Sequence, residues 1–333
     1  MWNQHAPAPR ALVLALVLAS VLALGSRPAA AEPQCARPAA AAAARAQLAA
    51  AMAHGRFIAY EPTSLALVDG RAHDADPASI RADLEALRPR FDALVTYDAI
   101  HGAEAIPGIA AQLKYRALII GVWDPSDPAQ LAAALAAAQR YPRLIAGLSL
   151  GNESIYGRRQ TFGALAAAMA AVRARAPRLA LSTTEPFHLY EQDASSQLLR
   201  SMDFLLVNVH PVFQPWFRGA TAATSARFVV NVAADLAQRF CGPILVKETG
   251  EPTAPASAGY SPAQQAQFYA ELRRRFVPTR ARAFAYFSAF DAPWRARDAG
   301  ALPGAASGPE EAYWGLYDSE RKPKPAALAL PPL

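Results

Sequence analysis

Two segments of this chain run from apolar, β-strand-like residues directly into a glutamate: Gly147-Leu148-Ser149-Leu150-Gly151-Asn152-Glu153 and Ile244-Leu245-Val246-Lys247-Glu248-Thr249-Gly250. A carboxyl group at the end of a buried strand is partly shielded from water, so its neighbours set its protonation state. Two such groups facing one another across a cleft can divide acid and nucleophilic roles between them. At an acetal, one carboxyl protonates the leaving oxygen and the other attacks the anomeric carbon, which requires the pair to stand about 5 to 5.5 Å apart. Acidic residues are common in loops, however, and Asp98, Glu185, Glu251 and Asp291 also follow candidate strands. Glu153 and Glu248 therefore need the rest of the pattern before they stand out.

The elements that must position them are legible. Short apolar, β-branched or aromatic runs at 57–60, 93–97, 117–122, 145–150, 179–183, 204–209, 244–247 and 283–287 read as eight strands. Most are followed by a polar loop and a helical pattern. Asp76-Pro77 opens a helix with Ile80, Leu84 and Leu87 on one face, Asp127-Pro128 opens one through Leu131 and Leu135, and Ser261-Pro262 repeats the device ahead of Phe268 and Leu272. Pro323, Pro325, Pro331 and Pro332 break the final helical pattern. Alternating βα units of this number predict an α/β fold of the closed (β/α)8 TIM-barrel type, as a single domain. A doubly wound open sheet would more often carry a Gly-rich phosphate loop after its first strand, and none follows 57–60. Barrel enzymes place their chemistry on the loops after the strand C-termini, where both glutamates fall.

Other residues fall on the same rim. Tyr97 and His210 sit at strand ends and either can orient a carboxylate; a His satisfied within the core is the competing reading. Trp123, Trp216, Trp294 and Trp314 all follow candidate strands, after the third, sixth and eighth. Sugar rings present apolar C–H faces that pack on aromatic rings, and tryptophans destined only for the core would scatter onto helices as well.

Taken together, these segments resemble glycoside hydrolase family 17, the β-1,3-glucanase and glucanosyltransferase family, along nearly the full mature length. Leu148-Ser149-Leu150-Gly151-Asn152-Glu153 is similar to that family's Asn-Glu segment after strand four, which carries the general acid/base. Val246-Lys247-Glu248-Thr249-Gly250-Glu251-Pro252 matches its nucleophile pattern Val-(Ser/Thr)-Glu-(Ser/Thr)-Gly-Trp-Pro at Val, Glu, Thr, Gly and Pro. Phe290-Asp291-Ala292-Pro293-Trp294-Arg295 resembles Phe-Asp-Glu-Pro-Trp-Lys, and Glu311-Ala312-Tyr313-Trp314-Gly315-Leu316-Tyr317 resembles Glu-Gly-x-Trp-Gly-Leu-Phe.

The resemblance implies a retaining mechanism on β-1,3-linked glucan with Glu153 as acid/base and Glu248 as nucleophile, without metal or organic cofactor. Asn152 is expected to hydrogen-bond the sugar 2-hydroxyl, and Tyr97, His210, Trp123, Trp216, Phe290, Trp294 and Trp314 are expected to line the glucan cleft. Glu251 and Ala292 depart from the pattern, and Glu251 is expected to add a third carboxylate that raises its neighbours' pKa. A transglycosylase that remodels or branches β-glucan would use the same catalytic pair. A non-catalytic glucan-binding barrel is the third reading.

With 333 residues, 53% hydrophobic and 18% charged, the chain can bury a large core. Its formal charge of +6 is spread among scattered arginines with no single basic stripe, which argues against a nucleic-acid partner. Arg10, the apolar run 11–24 and Ala29-Ala30-Ala31 follow the plan of a secretory signal at 1–31, too short in its apolar part to span a bilayer. The expected organisation is then an Ala-rich helical arm at 32–55, the barrel at 56–325 and a Pro-rich tail at 326–333, in an exported protein, periplasmic or extracellular, without membrane insertion. Cys35 and Cys241 are the only cysteines. Export permits them to pair; two free thiols are the alternative.

Overall fold

The computed structural model describes residues 32–68, 71–298 and 308–333, so the expected signal segment lies outside the described residues. Eight parallel strands close into a barrel: β1 (Phe57–Ala59), β2 (Ala93–Val95), β3 (Ala117–Val122), β4 (Ile145–Asn152), β5 (Leu181–Pro186), β6 (Leu205–Asn208), β7 (Ile244–Glu248) and β8 (Arg282–Tyr286). Each pairs with its successor, and β8 returns to β1 through Phe57 opposite Ala285. The predicted (β/α)8 architecture is therefore the observed one, with all eight strands near their expected places.

Side-chain alternation along the strands divides the core in two. Outward-facing Ile58, Leu94, Leu118, Leu148, Val207 and Val246 pack under the helices. Among those helices are α2 (Pro77–Leu87), α3 (Ile106–Gln112), α4 (Pro128–Arg140), α5 (Phe162–Arg175), α6 (Ala222–Leu236) and α7 (Pro262–Arg275). Asp76, Asp127 and Ser261 each accept a hydrogen bond from a backbone N–H in the first turn of the helix they precede, with proline at its start, as their sequence predicts.

Inward-facing residues are mostly small: Ala93, Ala117, Ala146, Ala180, Ala283 and Ala285 surround Phe57, Phe204 and Leu245. The room they leave at the strand N-termini is filled by Leu48, Ala51 and Met52 of α1 (Ala42–His54), which closes that end of the barrel. Asp203, fully buried before β6, holds the plug in place by accepting from Arg45 of α1 at 3.0 Å and Arg173 of α5 at 2.6 Å. The Cys35–Cys241 disulfide fastens the same end, assisted by Gln34 N–H donating to the Arg239 carbonyl at 2.8 Å.

One element departs from the sequence reading. An antiparallel pair, Ala66–Val68 with Arg71–His73, follows β1. Asp69-Gly70 directly after the apolar run 65–68 is a turn signal in the sequence that a search for βα units passes over.

Candidate active site

Glu153 and Glu248 both emerge at the C-terminal mouth of the barrel, and local irregularities aim them. The β4–β5 register shifts between Ser149 and Asn152, and the two residues flanking Asn152 adopt left-handed backbone, Gly151 at φ 86° and Glu153 at φ 50°. A Cβ on Gly151 would come within 2.6 Å of Ser154 Oγ, so only glycine fits there. Glu153 N–H donates to the Thr184 carbonyl at 2.7 Å, and its own carbonyl accepts from Gly157 N–H at 2.8 Å, which fixes its unusual conformation.

Glu185, on β5, clamps the turn that follows by accepting from the N–H groups of Ile155 and Tyr156 at 2.9 and 3.2 Å. Burial pushes its carboxyl up to about 7 against the pull of those two donors. Arg159 completes the turn, donating to the Asn152 carbonyl at 2.5 Å and lying 4.6 Å over the Trp123 ring.

A second register shift, between Val207 and Asn208 where β6 meets β7, lies beside Glu248. Its neighbour Lys247 is only 1% exposed. The Lys247 ammonium stands 3.2 Å from Glu248 Oε1, 3.8 Å from the Tyr97 ring centroid and donates to Asn152 Oδ1 at 2.5 Å. The end of β6 serves both carboxyl groups. Asn208 Nδ2 donates to Glu153 Oε1 at 2.8 Å, and His210 Nε2 lies 3.5 Å from Glu248 Oε2.

These surroundings push the two glutamates in opposite directions. Burial and then the charge of Glu248 raise Glu153, with Asn208, His210 and Lys247 opposing. Burial acts upward on Glu248 too, but Lys247, His210 and Arg295 outweigh it and hold that carboxyl at about 2. A carboxyl group that holds its proton more tightly beside one held ionised is the kind of arrangement that general acid catalysis paired with nucleophilic attack uses.

The structure gathers Asn152, Tyr97, His210 and Trp314 around this pair. Trp314 is buried, edge-on to His210 at 5.1 Å and to Phe287 at 5.2 Å, while Phe213, 51% exposed, tilts against it. Trp294 and Phe290 line a narrow recess with Tyr97, Glu61 and Arg295, whose guanidinium pairs with Glu61. Phe290 also packs between Tyr60 and Tyr317 and is part of the core. Trp216 stands apart, against Phe228 of α6.

Glu251 corrects one expectation. It is buried, its carbonyl accepts from Gln265 of α7 at 3.0 Å, and burial, opposed by Ser225 of α6, pushes its carboxyl up to about 7. It faces the helices, and the like-charge effect on Glu153 comes from Glu248.

The sequence reading missed Asn208, Lys247, Glu185, Arg159, Glu61 and Arg295. Two of them carried a signal: Asn208 is two residues before His210 on one strand end, and Lys247 is a charge inside an otherwise apolar strand. Among the described residues no cluster of three or more His, Cys, Asp or Glu could hold a metal ion, and no helix is long and apolar enough to cross a membrane.

Several known proteins are similar to this chain. A glucan 1,3-beta-glucosidase of Arthroderma benhamiae is 27% identical over 264 residues, which is 75% of this chain and 84% of the relative. A glycoside hydrolase family 17 β-1,3-glucanosyltransferase from Rhizomucor miehei superposes with a TM-score of 0.59 at 20% identity, over 81% of this chain and 95% of its own; an active-site mutant of that enzyme has been solved with laminaritriose. An endo-laminarinase from Formosa gives 0.58 at 16% identity, over 79% and 83% of the two chains. At these identities the structural matches speak for the barrel alone. Residues 58–315, most of the chain, match the model of the BtgE/BtgC glycoside hydrolase domain, and the protein belongs to that family.

Proposed function

We propose that the protein is a retaining glycoside hydrolase of β-1,3-linked glucan, of the family 17 type, with Glu153 as acid/base and Glu248 as nucleophile. The observation that carries this reading is the opposite displacement of the two carboxyl groups on facing strand ends. The names of the fungal relative and of the two barrel enzymes support the choice of glucan and linkage.

In the first step Glu248 attacks the anomeric carbon and Glu153 gives its proton to the departing glycosidic oxygen, leaving a glycosyl ester on Glu248. Glu153, now a carboxylate, takes a proton from water as it attacks the same carbon, and Glu248 leaves as a carboxylate. Asn208 and His210 hold the two groups through both steps. Asn152 contacts the 2-hydroxyl, and Tyr97, Trp123, Trp294 and Trp314 shape the cleft. Residues 1–31 act as an export signal, and the Cys35–Cys241 disulfide supports an oxidising destination, periplasmic or extracellular.

Replacing water by a second glucan in the second step gives a transglycosylase. Phe213, exposed beside Trp314 and His210, offers an acceptor sugar an apolar face and favours this variant. Reducing-sugar release and product sizing on laminarin test both forms, with Glu153→Gln and Glu248→Gln as controls. Oligosaccharides longer than the substrate at high concentration select the transferase. An inactive wild type that binds laminarin removes the catalytic reading in favour of a glucan-binding barrel.

A further inference from the structure

Lys247 occupies the position at which the family 17 pattern has serine or threonine, and no step above uses it. An ammonium this deeply buried costs several kcal/mol unless partners compensate it, and a neutral residue would avoid that cost. Every partner it has belongs to the catalytic end of the barrel: Glu248 at 3.2 Å, Asn152 Oδ1 at 2.5 Å and the Tyr97 ring at 3.8 Å.

We propose that Lys247 is a positioning residue that acts on two members of the site at once, keeping Glu248 ionised as a nucleophile and fixing which end of the Asn152 amide meets the sugar. An asparagine can offer a hydroxyl either a donor or an acceptor. With Oδ1 taken by Lys247, Asn152 presents its Nδ2 donor. The 2-hydroxyl of the reacting sugar is then recognised as an acceptor.

The charged and titratable groups that face this pair come from five elements. Glu153 follows β4, Tyr97 follows β2, His210 follows β6, Glu61 follows β1, and Arg295 lies in the segment after β8. Burial lowers the Lys247 ammonium, while Glu248, Glu153 and Glu61 raise it. Removing the cation acts more on Glu248, where the charge of Lys247 is the largest single contribution opposing burial, than on Glu153, where it ranks below Asn208 and His210.

The inference rests on the glycosidase reading for its second half, so the test has two independent arms on the mature, disulfide-bonded protein. In the first, glutamate side chains labelled with carbon-13 are titrated by NMR, with Glu248→Gln to assign the resonance. Glu248 is expected to remain ionised down to pH 4 in the wild type and in Lys247→Arg, and to titrate at least one pH unit higher in Lys247→Met. A Glu248 with ordinary titration in the wild type, or one unmoved in Lys247→Met, overturns the proposal. Lys247→Gln, and after it Lys247→Ala, replaces the methionine variant if that chain does not fold.

The second arm measures hydrolysis of an aryl β-laminaribioside. Lys247→Met is expected to lower kcat at least tenfold with KM changed less than threefold, and to move the acid limb of kcat/KM upward in step with the NMR value. Combined with Asn152→Ala, it should lose no more than about threefold beyond the worse single variant. Full additivity removes the Asn152 half. A displaced titration in a protein with no turnover on any β-glucan would leave the electrostatic role standing and sink the glycosidase reading instead.

Discussion

Asn208 Nδ2 sits 2.8 Å from Glu153 Oε1, a charge-assisted hydrogen bond when the carboxyl is ionised and a brake on its rise in pKa. Because the bond favours the ionised form, Asn208→Ala should raise Glu153 further and shift the basic limb of kcat/KM to higher pH, by roughly half to one unit. Turnover should fall about tenfold, since Glu153 loses its orientation for both proton transfers. A pH–rate profile of the variant checks both; an unmoved basic limb would detach Asn208 from the acid.

The roles of the two carboxylates are separable with a small external nucleophile. Glu153→Ala should lose turnover on laminarin by about a thousandfold or more and recover it on an activated aryl glycoside when azide is added. The product should be the β-glycosyl azide. Glu248→Ala with azide should give the α-anomer, because azide then replaces the nucleophile itself. NMR of the products reads the anomer directly, and interchanged anomers would reverse the assignment.

Glu251 supplies a stability prediction. Its carboxyl, pushed up to about 7 in the folded protein from an ordinary value of 4.5, favours folding fully only below that ordinary value. This contribution is lost as pH rises through about 7. Glu251→Gln should therefore match the wild type near pH 4.5 and exceed it at pH 8 by about 1 to 3 kcal/mol. Denaturant unfolding at the two pH values measures the difference, and equal stability at pH 8 would contradict the burial argument.

The Cys35–Cys241 disulfide closes a sequence separation of 206 residues at the end of the barrel opposite the mouth that holds Glu153 and Glu248. Cys35→Ser with Cys241→Ser should destabilise the fold by about 2 to 5 kcal/mol through the freed unfolded chain. The kcat/KM at 25 °C should change by less than about twofold. Thermal melting and initial rates on the same preparation separate the two effects.

Gly151 tests the strained turn. Gly151→Ala forces a Cβ into a left-handed backbone and towards Ser154 Oγ, displacing the chain two residues before the acid. A loss of stability of about 1 to 2 kcal/mol is expected, with kcat reduced more than KM is raised. Unchanged kcat would mean that the turn does not set the acid's position.

Much of this could be read from the residues in order. The helix starts at Asp76, Asp127 and Ser261 use local chemistry, a side-chain oxygen against the first free N–H groups, and were legible for that reason. The strands were legible as apolar runs, and their number with intervening helices fixed the barrel class and the end at which Glu153 and Glu248 had to lie. The antiparallel pair after β1 also had a local signal in the sequence, Asp69-Gly70 after an apolar run, but outside the βα rhythm.

What the sequence by itself determined was the rhythm of elements and the two glutamates at the ends of β4 and β7. Only the tertiary structure decided which of the many carboxyl groups act on one another. Glu251 lies three residues from Glu248 in the chain yet faces the helices, while Asn208, 55 residues from Glu153, touches it. Closure of the barrel brings distant strand ends together, register shifts choose which side chains point inward, and burial then gives each charge its weight. None of these is a property of neighbouring residues along the chain, which is why Lys247 reads as an oddity in the sequence and as a partner of Glu248 and Asn152 in the fold.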